Sequence, residues 1–198
     1  QIEVEGDRVF ITDAVENRVL IYDLKEGEIV KVLNLGSERD DLHHVNTVLV
    51  RNGTFYLGLN TSPEGSSKIL SIPYEEIINT DEIEFDLLER ASLRTNEGIE
   101  DTHDLVPYDG TFLISASEDG YVFRADSQEK VLEVTDWTRG ICVTEDGIWV
   151  GSREKQKNSE KRERKSDGKI YFFEQSAEYE DREVVLKESG QVYDIIED

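Results

Sequence analysis

The sequence contains one cysteine, Cys142, and no methionine. A lone thiol cannot close an internal disulfide, so the fold has to be held by its apolar core. Cys142 sits in the apolar run GICV, where a small core residue in a reducing compartment is expected. No stretch approaches the roughly 18 consecutive apolar residues of a membrane span, and residues 1–20 lack the basic-then-apolar order of a signal peptide. No membrane partner is expected, and a cytoplasmic location is; with Gln1 first and no Met, the true start is expected upstream or removed. Positive charge is also scarce, with 22 Lys and Arg against 45 Asp and Glu and a net charge of −23. A field of that sign repels phosphate backbones, which argues against nucleic acid as a partner. The chain has no Gly-Lys-Ser/Thr phosphate loop, no Gly-x-Ser-x-Gly elbow, no Cys-x-x-Cys and no Gly-x-Gly-x-x-Gly. Among 45 carboxylates an acid/base pair cannot be told from solvated surface.

What the sequence does contain is a repeat. A short apolar strand, a turn and a second β-branched or aromatic strand recur as IEVEGDRVFIT (2–12), VLVRNGTFYLG (48–58), LVPYDGTFLIS (105–115) and CVTEDGIWVG (142–151). Asn52-Gly53, Asp109-Gly110 and Asp146-Gly147 read as two-residue hairpin turns, which need residues tolerant of positive φ. Third strands follow at RVLIYDL (18–24), KILSIP (68–73), YVFRAD (121–126) and KIYFFE (169–174). Fourth strands follow at IVKVLNL (29–35), IEFDLLERASL (83–93), KVLEVTDW (130–137) and EVVLKES (183–189).

Such four-stranded meanders predict an all-β chain, a β-propeller of about four, or five, antiparallel blades. The 198 residues, 37% of them apolar, are expected to form a single domain with units at 1–36, 44–93, 101–136 and 138–189 and a terminal strand at 190–198. Helical periodicity is nearly absent, the exception being a single turn at 73–78. The segment 153–165 (REKQKNSEKRERK) carries seven basic and three acidic residues and reads as a charged hairpin insertion.

The residues that lead into each innermost strand are unusually polar: DLHHVNT (41–47), EDTHD (100–104), WTRG (137–140) and QVYD (191–194). In a propeller those strands line the central channel, so His44, Asn46, Asp101, His103, Arg139 and Tyr193 are candidates for one polar ligand pocket. Alternation puts His44 with Asn46 and Asp101 with His103, and an offset of 57 residues superposes the two pairs. Imidazole, carboxylate and amide oxygen suit a divalent metal ion, with His44, His103 and Asp101 as its ligands. Arg139 equally suits an anion held by a two-pronged hydrogen bond. The competing reading is that these side chains satisfy backbone groups between neighbouring blades.

The run WTRGICVTEDGIWVGSREK, followed by a charged insertion, GKIYFFE and GQVYDII, resembles an uncharacterised group of microbial propellers, distantly similar to NHL-repeat and SMP-30/gluconolactonase-like propellers. DLHHVNTV and DTHDLV resemble the inner-strand motifs of that group. The resemblance implies a propeller rather than an activity, because SMP-30-type lactonases hold their cation with Glu, Asn and Asp, whereas here the positions offer His44, Asn46, His103 and Asp101 or Asp104. Two functions compete: a binding or scaffold module that takes a small molecule or protein partner on one ring face, and a metal-dependent hydrolase or lactonase of SMP-30 type.

Overall fold

Short β-branched and aromatic segments that alternate in polarity, separated by turn residues, form strands and little else. The computed structural model describes residues 1–35, 44–60, 67–80, 84–87, 92–96, 99, 101–134, 136–153, 167–174, 182–187, 192 and 195. The ordered elements among these residues are strands, apart from the helix Tyr74–Asn79 and the helical Leu87, and the chain divides into two compact units, Gln1–Asp101 and Thr102–Asp198.

In the first unit β1 (Ile2–Glu5), β2 (Arg8–Asp13), β3 (Arg18–Asp23) and β4 (Glu28–Asn34) form an antiparallel meander. A second meander begins with β5 (Val45–Arg51), β6 (Thr54–Leu59) and β7 (Ser67–Pro73) and continues through α1 (Tyr74–Asn79), the helical turn expected at 73–78. The outer segment 83–93 is not the single strand expected. It divides into β8 (Glu84–Asp86), which leaves its own meander to pair parallel with β4, and β9 (Ser92–Asn96), which completes the second sheet on β7. The division is anchored by Leu87, which is fully buried in the core directly after β8.

That core interleaves one face of each sheet, with Phe10, Ile21 and Leu33 from the first against Phe55, Leu57 and Ile72 from the second. Each such burial contributes about 1.5–3 kcal/mol. Lys31, buried in the same layer, donates from Nζ to the carbonyls of Ile77 and Thr80 and so ties β4 to the end of α1. The other face of the first sheet leaves Ile2 and Val4 exposed.

The second unit repeats the plan. β10 (Thr102–Tyr108), β11 (Thr111–Ala116), β12 (Tyr121–Arg124) and β13 (Lys130–Glu133) form the third sheet. β14 (Trp137–Val143), β15 (Gly147–Arg153), β16 (Gly168–Glu174) and β17 (Arg182–Leu186) form the fourth. Leu113, Val122 and Leu132 of the third sheet pack against Ile148, Val150 and Phe173 of the fourth. Four antiparallel four-stranded meanders, the first extended by the parallel β8 to a five-stranded sheet, make the architecture β-propeller-like.

Two of the three expected hairpin turns form as read, with Asn52 and Gly53 at φ 50° and 73° and Asp109 and Gly110 at 44° and 76°. The third does not. Asp146 and Gly147 both lack positive φ, and the loop is closed instead by the Thr144 amide and hydroxyl, which donate to the Gly147 carbonyl at 2.9 and 3.2 Å. Gly147 belongs to β15, where a Cβ would run into the Phe173 carbonyl and the Phe172 ring, so close approach selects the glycine there. Of the charged segment 153–165 only Arg153 is described, at the end of β15. Of the tail 190–198 only Val192 and Ile195 are described, so the expected terminal strand lies outside the described residues.

Candidate functional site

The offset of 57 residues is written into the backbone. His44 and Asp101 stand immediately before β5 and β10, and both adopt the left-handed conformation, at φ 43° and 50°. Asn46 lies at the register shift of β5, and His103 is the last residue of β10 before its own shift. His44, Asn46 and Asp101 belong to the first unit, His103 and Arg139 to the second, and Tyr193 lies outside the described residues.

In the first unit the organising residue is Asn60, which the sequence reading missed. Its amide N–H donates to the His44 carbonyl at 3.2 Å and its side-chain Nδ2 donates to Asp101 Oδ1 at 2.6 Å. Asn60 is 4% exposed, so these bonds operate where water does not compete.

In the second unit the equivalent node is Asp104. It sits in the left-handed region (φ 58°) at the bulge of β10, and its Oδ2 accepts from Ser115 Oγ at 3.0 Å and from the Gly140 amide at 2.9 Å. Ser115, fully buried, also meets the His103 carbonyl at 2.8 Å. Thr138 ties the same strands by donating from its amide and hydroxyl to the carbonyls of Ser117 and Ala116. These side chains satisfy backbone groups between neighbouring strands, the arrangement set against a ligand role in the sequence reading. Among the described residues no group of three or more His, Cys, Asp or Glu side chains is placed to share a metal ion, so the metal set His44, His103 and Asp101 gains no support from the geometry.

A further polar group lies on the core side of the fourth sheet. Tyr171 donates to Asp136 Oδ2 at 2.9 Å, and Lys169 Nζ approaches the same oxygen at 2.9 Å and Glu183 at 3.5 Å. Burial, then the bond to Asp136, pushes the Tyr171 hydroxyl up to about 12. The hydrogen bond to Asp136 likewise moves the Lys169 ammonium well upward. Neither group can trade protons near neutrality, so the cluster is a structural clasp.

The opposite side of the fourth sheet differs. Cys142, Trp149, Ile170, Val184 and Ile195 line an apolar cleft of about 460 Å³, with Thr144 and Asp146 at its hairpin end. Cys142, expected in the core, is half-buried here and forms no disulfide. Trp149 and Phe172 pack with ring centroids 4.4 Å apart beneath the cleft. At the other end of the same strands the guanidinium carbons of Arg139 and Arg153 lie 5.3 and 4.5 Å from the Trp137 ring. Arg139, singled out from the sequence, thus belongs to a cation–aromatic cluster whose other members, Trp137 and Arg153, were not. A signal for the cleft exists in the sequence: GIWVG and KIYFF are apolar on both strand faces, the pattern of a sheet with something to pack on either side.

No protein-family model matches the sequence, and no curated protein matches it significantly. Among solved structures, BamB from Moraxella catarrhalis is similar over 76% of this chain with a TM-score of 0.46 and 11% identity. The chain spans 39% of the length of that protein. A putative exported protein from Bacteroides fragilis NCTC 9343 is similar over 94% of this chain and 70% of its own, with a TM-score of 0.43 and 9% identity.

Proposed function

We propose that the chain is a non-enzymatic binding module of β-propeller type whose binding surface is the open face of the fourth sheet. The cleft of about 460 Å³ carries this reading, since its size falls within the roughly 300–1,000 Å³ of small-molecule sites and its walls are apolar with few polar groups. Supporting it, Asp101 is engaged by the Asn60 side chain and Asp104 by Ser115 and the Gly140 amide, and Tyr171 and Lys169 are far from the proton affinity that acid/base catalysis near neutral pH requires. The resemblance of DLHHVNTV and DTHDLV to propeller inner strands is consistent with the same architecture.

The test is turnover. Incubated with a panel of lactones and esters, with and without added divalent metal ions, the protein is expected to give no rate above the uncatalysed reaction. Metal-dependent turnover that disappears in the double variant His44→Ala, His103→Ala would overturn the reading in favour of the hydrolase.

A further inference from the structure

The two sides of the first sheet differ in what covers them. One side packs into the core through Phe10, Ile21 and Leu33. The other is built from two rows of cross-strand partners, each running over all four strands of the meander. The first row is Ile2, Ile11, Leu20 and Val32. The second is Val4, Val9, Tyr22 and Ile29. No charged side chain interrupts either row, the pattern of a sheet with something to pack on both faces. Yet Ile2, Val4 and Ile29 are 63, 56 and 50% exposed. A contiguous apolar patch of this kind marks a contact surface.

We propose that this face is covered by a second copy of the chain, the two first sheets stacked face to face about a two-fold axis. The inference involves neither the cleft nor the fourth sheet and goes beyond the binding-module reading. Charge selects the occupant. Two bodies of net charge −23 repel each other over most surfaces they could share, whereas this face carries no carboxylate of its own. Its two ends hold compensated pairs, Asp13 with Arg18 at 2.9 Å at one and Asp7 with Lys25 at the other. Glu16 and Glu26 in the same turns remain to be screened by salt. A two-fold contact needs a surface complementary to itself, and an uncharged face meets that condition without partner groups to match. Two sheets stack in this way about 10 Å apart, their inner side chains interdigitated. The pair of faces removes on the order of 1,000 Å² from water in all, the size a specific interface has to reach.

Sedimentation equilibrium of the full chain reads the self-association. The dimer is expected to tighten from about 0.01 to 1 M sodium chloride, as the Debye length shrinks from about 30 to 3 Å and repulsion between copies fades. Ile2→Lys and, independently, Ile29→Lys should each weaken it about tenfold or more at a given salt, with folding verified by thermal melts. Each adds a positive charge to an acidic chain, so long-range electrostatics alone would strengthen association, and only loss of the apolar contact weakens it. Ile170→Asp, on the fourth sheet, should leave the dimer as it was. A chain that stays monomeric at about 1 mM in 1 M salt would overturn the proposal. So would a dimer that Ile170→Asp dissociates and the two lysine variants do not, or association that continues past two copies, the mark of a head-to-tail contact.

Discussion

Asp104 shows how a residue that looks like a ligand from its sequence neighbourhood is spent on structure. It accepts from Ser115 and from the Gly140 amide, and in doing so satisfies a donor on the neighbouring strand at a bulge that a regular ladder would leave unpaired. Ser115→Ala is therefore expected to cost about 1–3 kcal/mol by urea denaturation, because Asp104 loses a buried partner. Ser152 is the contrasting case: fully buried, its hydroxyl has no hydrogen-bond partner among the described residues. Ser152→Ala should then be neutral or stabilising by up to about 1 kcal/mol, and a loss as large as that of Ser115→Ala would show that the hydroxyl is engaged after all. Tyr171 supplies a pH signature. Its folded-state pKa is raised, so its contribution is fully present below the ordinary tyrosine value of 10.0 and is lost as pH rises toward about 12. Lys169, shifted in the same direction, adds to the loss over that alkaline range. Stability measured by denaturant titration should fall between pH 10 and 12, and Tyr171→Phe should flatten that fall. An unchanged slope in the variant would mean that the clasp with Asp136 does not form.

At the scale of elements, most strands could be read from the sequence because turn chemistry and alternation point the same way. Asn52-Gly53 and Asp109-Gly110 turn as their residue types require, and every third strand falls where the β-branched and aromatic runs place it. By contrast, β5, β10 and β14 begin at Val45, Thr102 and Trp137, ahead of the runs that start at 48, 105 and 142, and Trp137, expected to end the outer strand 130–137, opens β14 instead. The failures have physical causes. Asp146-Gly147 carries the same dipeptide signal, but Gly147 is needed for the approach of Phe172 and Phe173, a tertiary demand that a local pattern cannot express. Gly147→Ala is thus expected to destabilise the fold by about 1–3 kcal/mol through overpacking against β16, whereas a pure turn position would lose less. The division of 83–93 into β8 and β9 was likewise hidden, since nothing local marks the point at which a strand changes sheets. Only the burial of Leu87 and the parallel pairing with β4 reveal it.

For the whole molecule, the class of fold was legible and the cleft of the fourth sheet was not. The repeat offset placed His44 and Asp101 in matching backbone conformations, yet their roles depend on Asn60, a partner invisible at that spacing. The cleft escaped notice because Trp149, Ile170 and Val184 look like core residues until the register shows which face they share. The net charge of −23 acts on the molecule as a whole by self-repulsion, so the melting temperature should rise as sodium chloride increases from about 0.01 to 1 M, where the Debye length shrinks from about 30 to 3 Å. A flat response would mean that the carboxylates are already compensated locally. The most direct measurement of the binding surface uses N-phenyl-1-naphthylamine, an uncharged apolar fluorophore that accepts excitation energy from tryptophan. If the fourth sheet carries the binding face, the probe binds saturably with one site per chain, Trp137 and Trp149 transfer energy to it, and Ile170→Asp abolishes the signal while the thermal melt is retained. Saturable binding that Ile170→Asp leaves untouched, or no saturable binding at all, would contradict the assignment of function to that face.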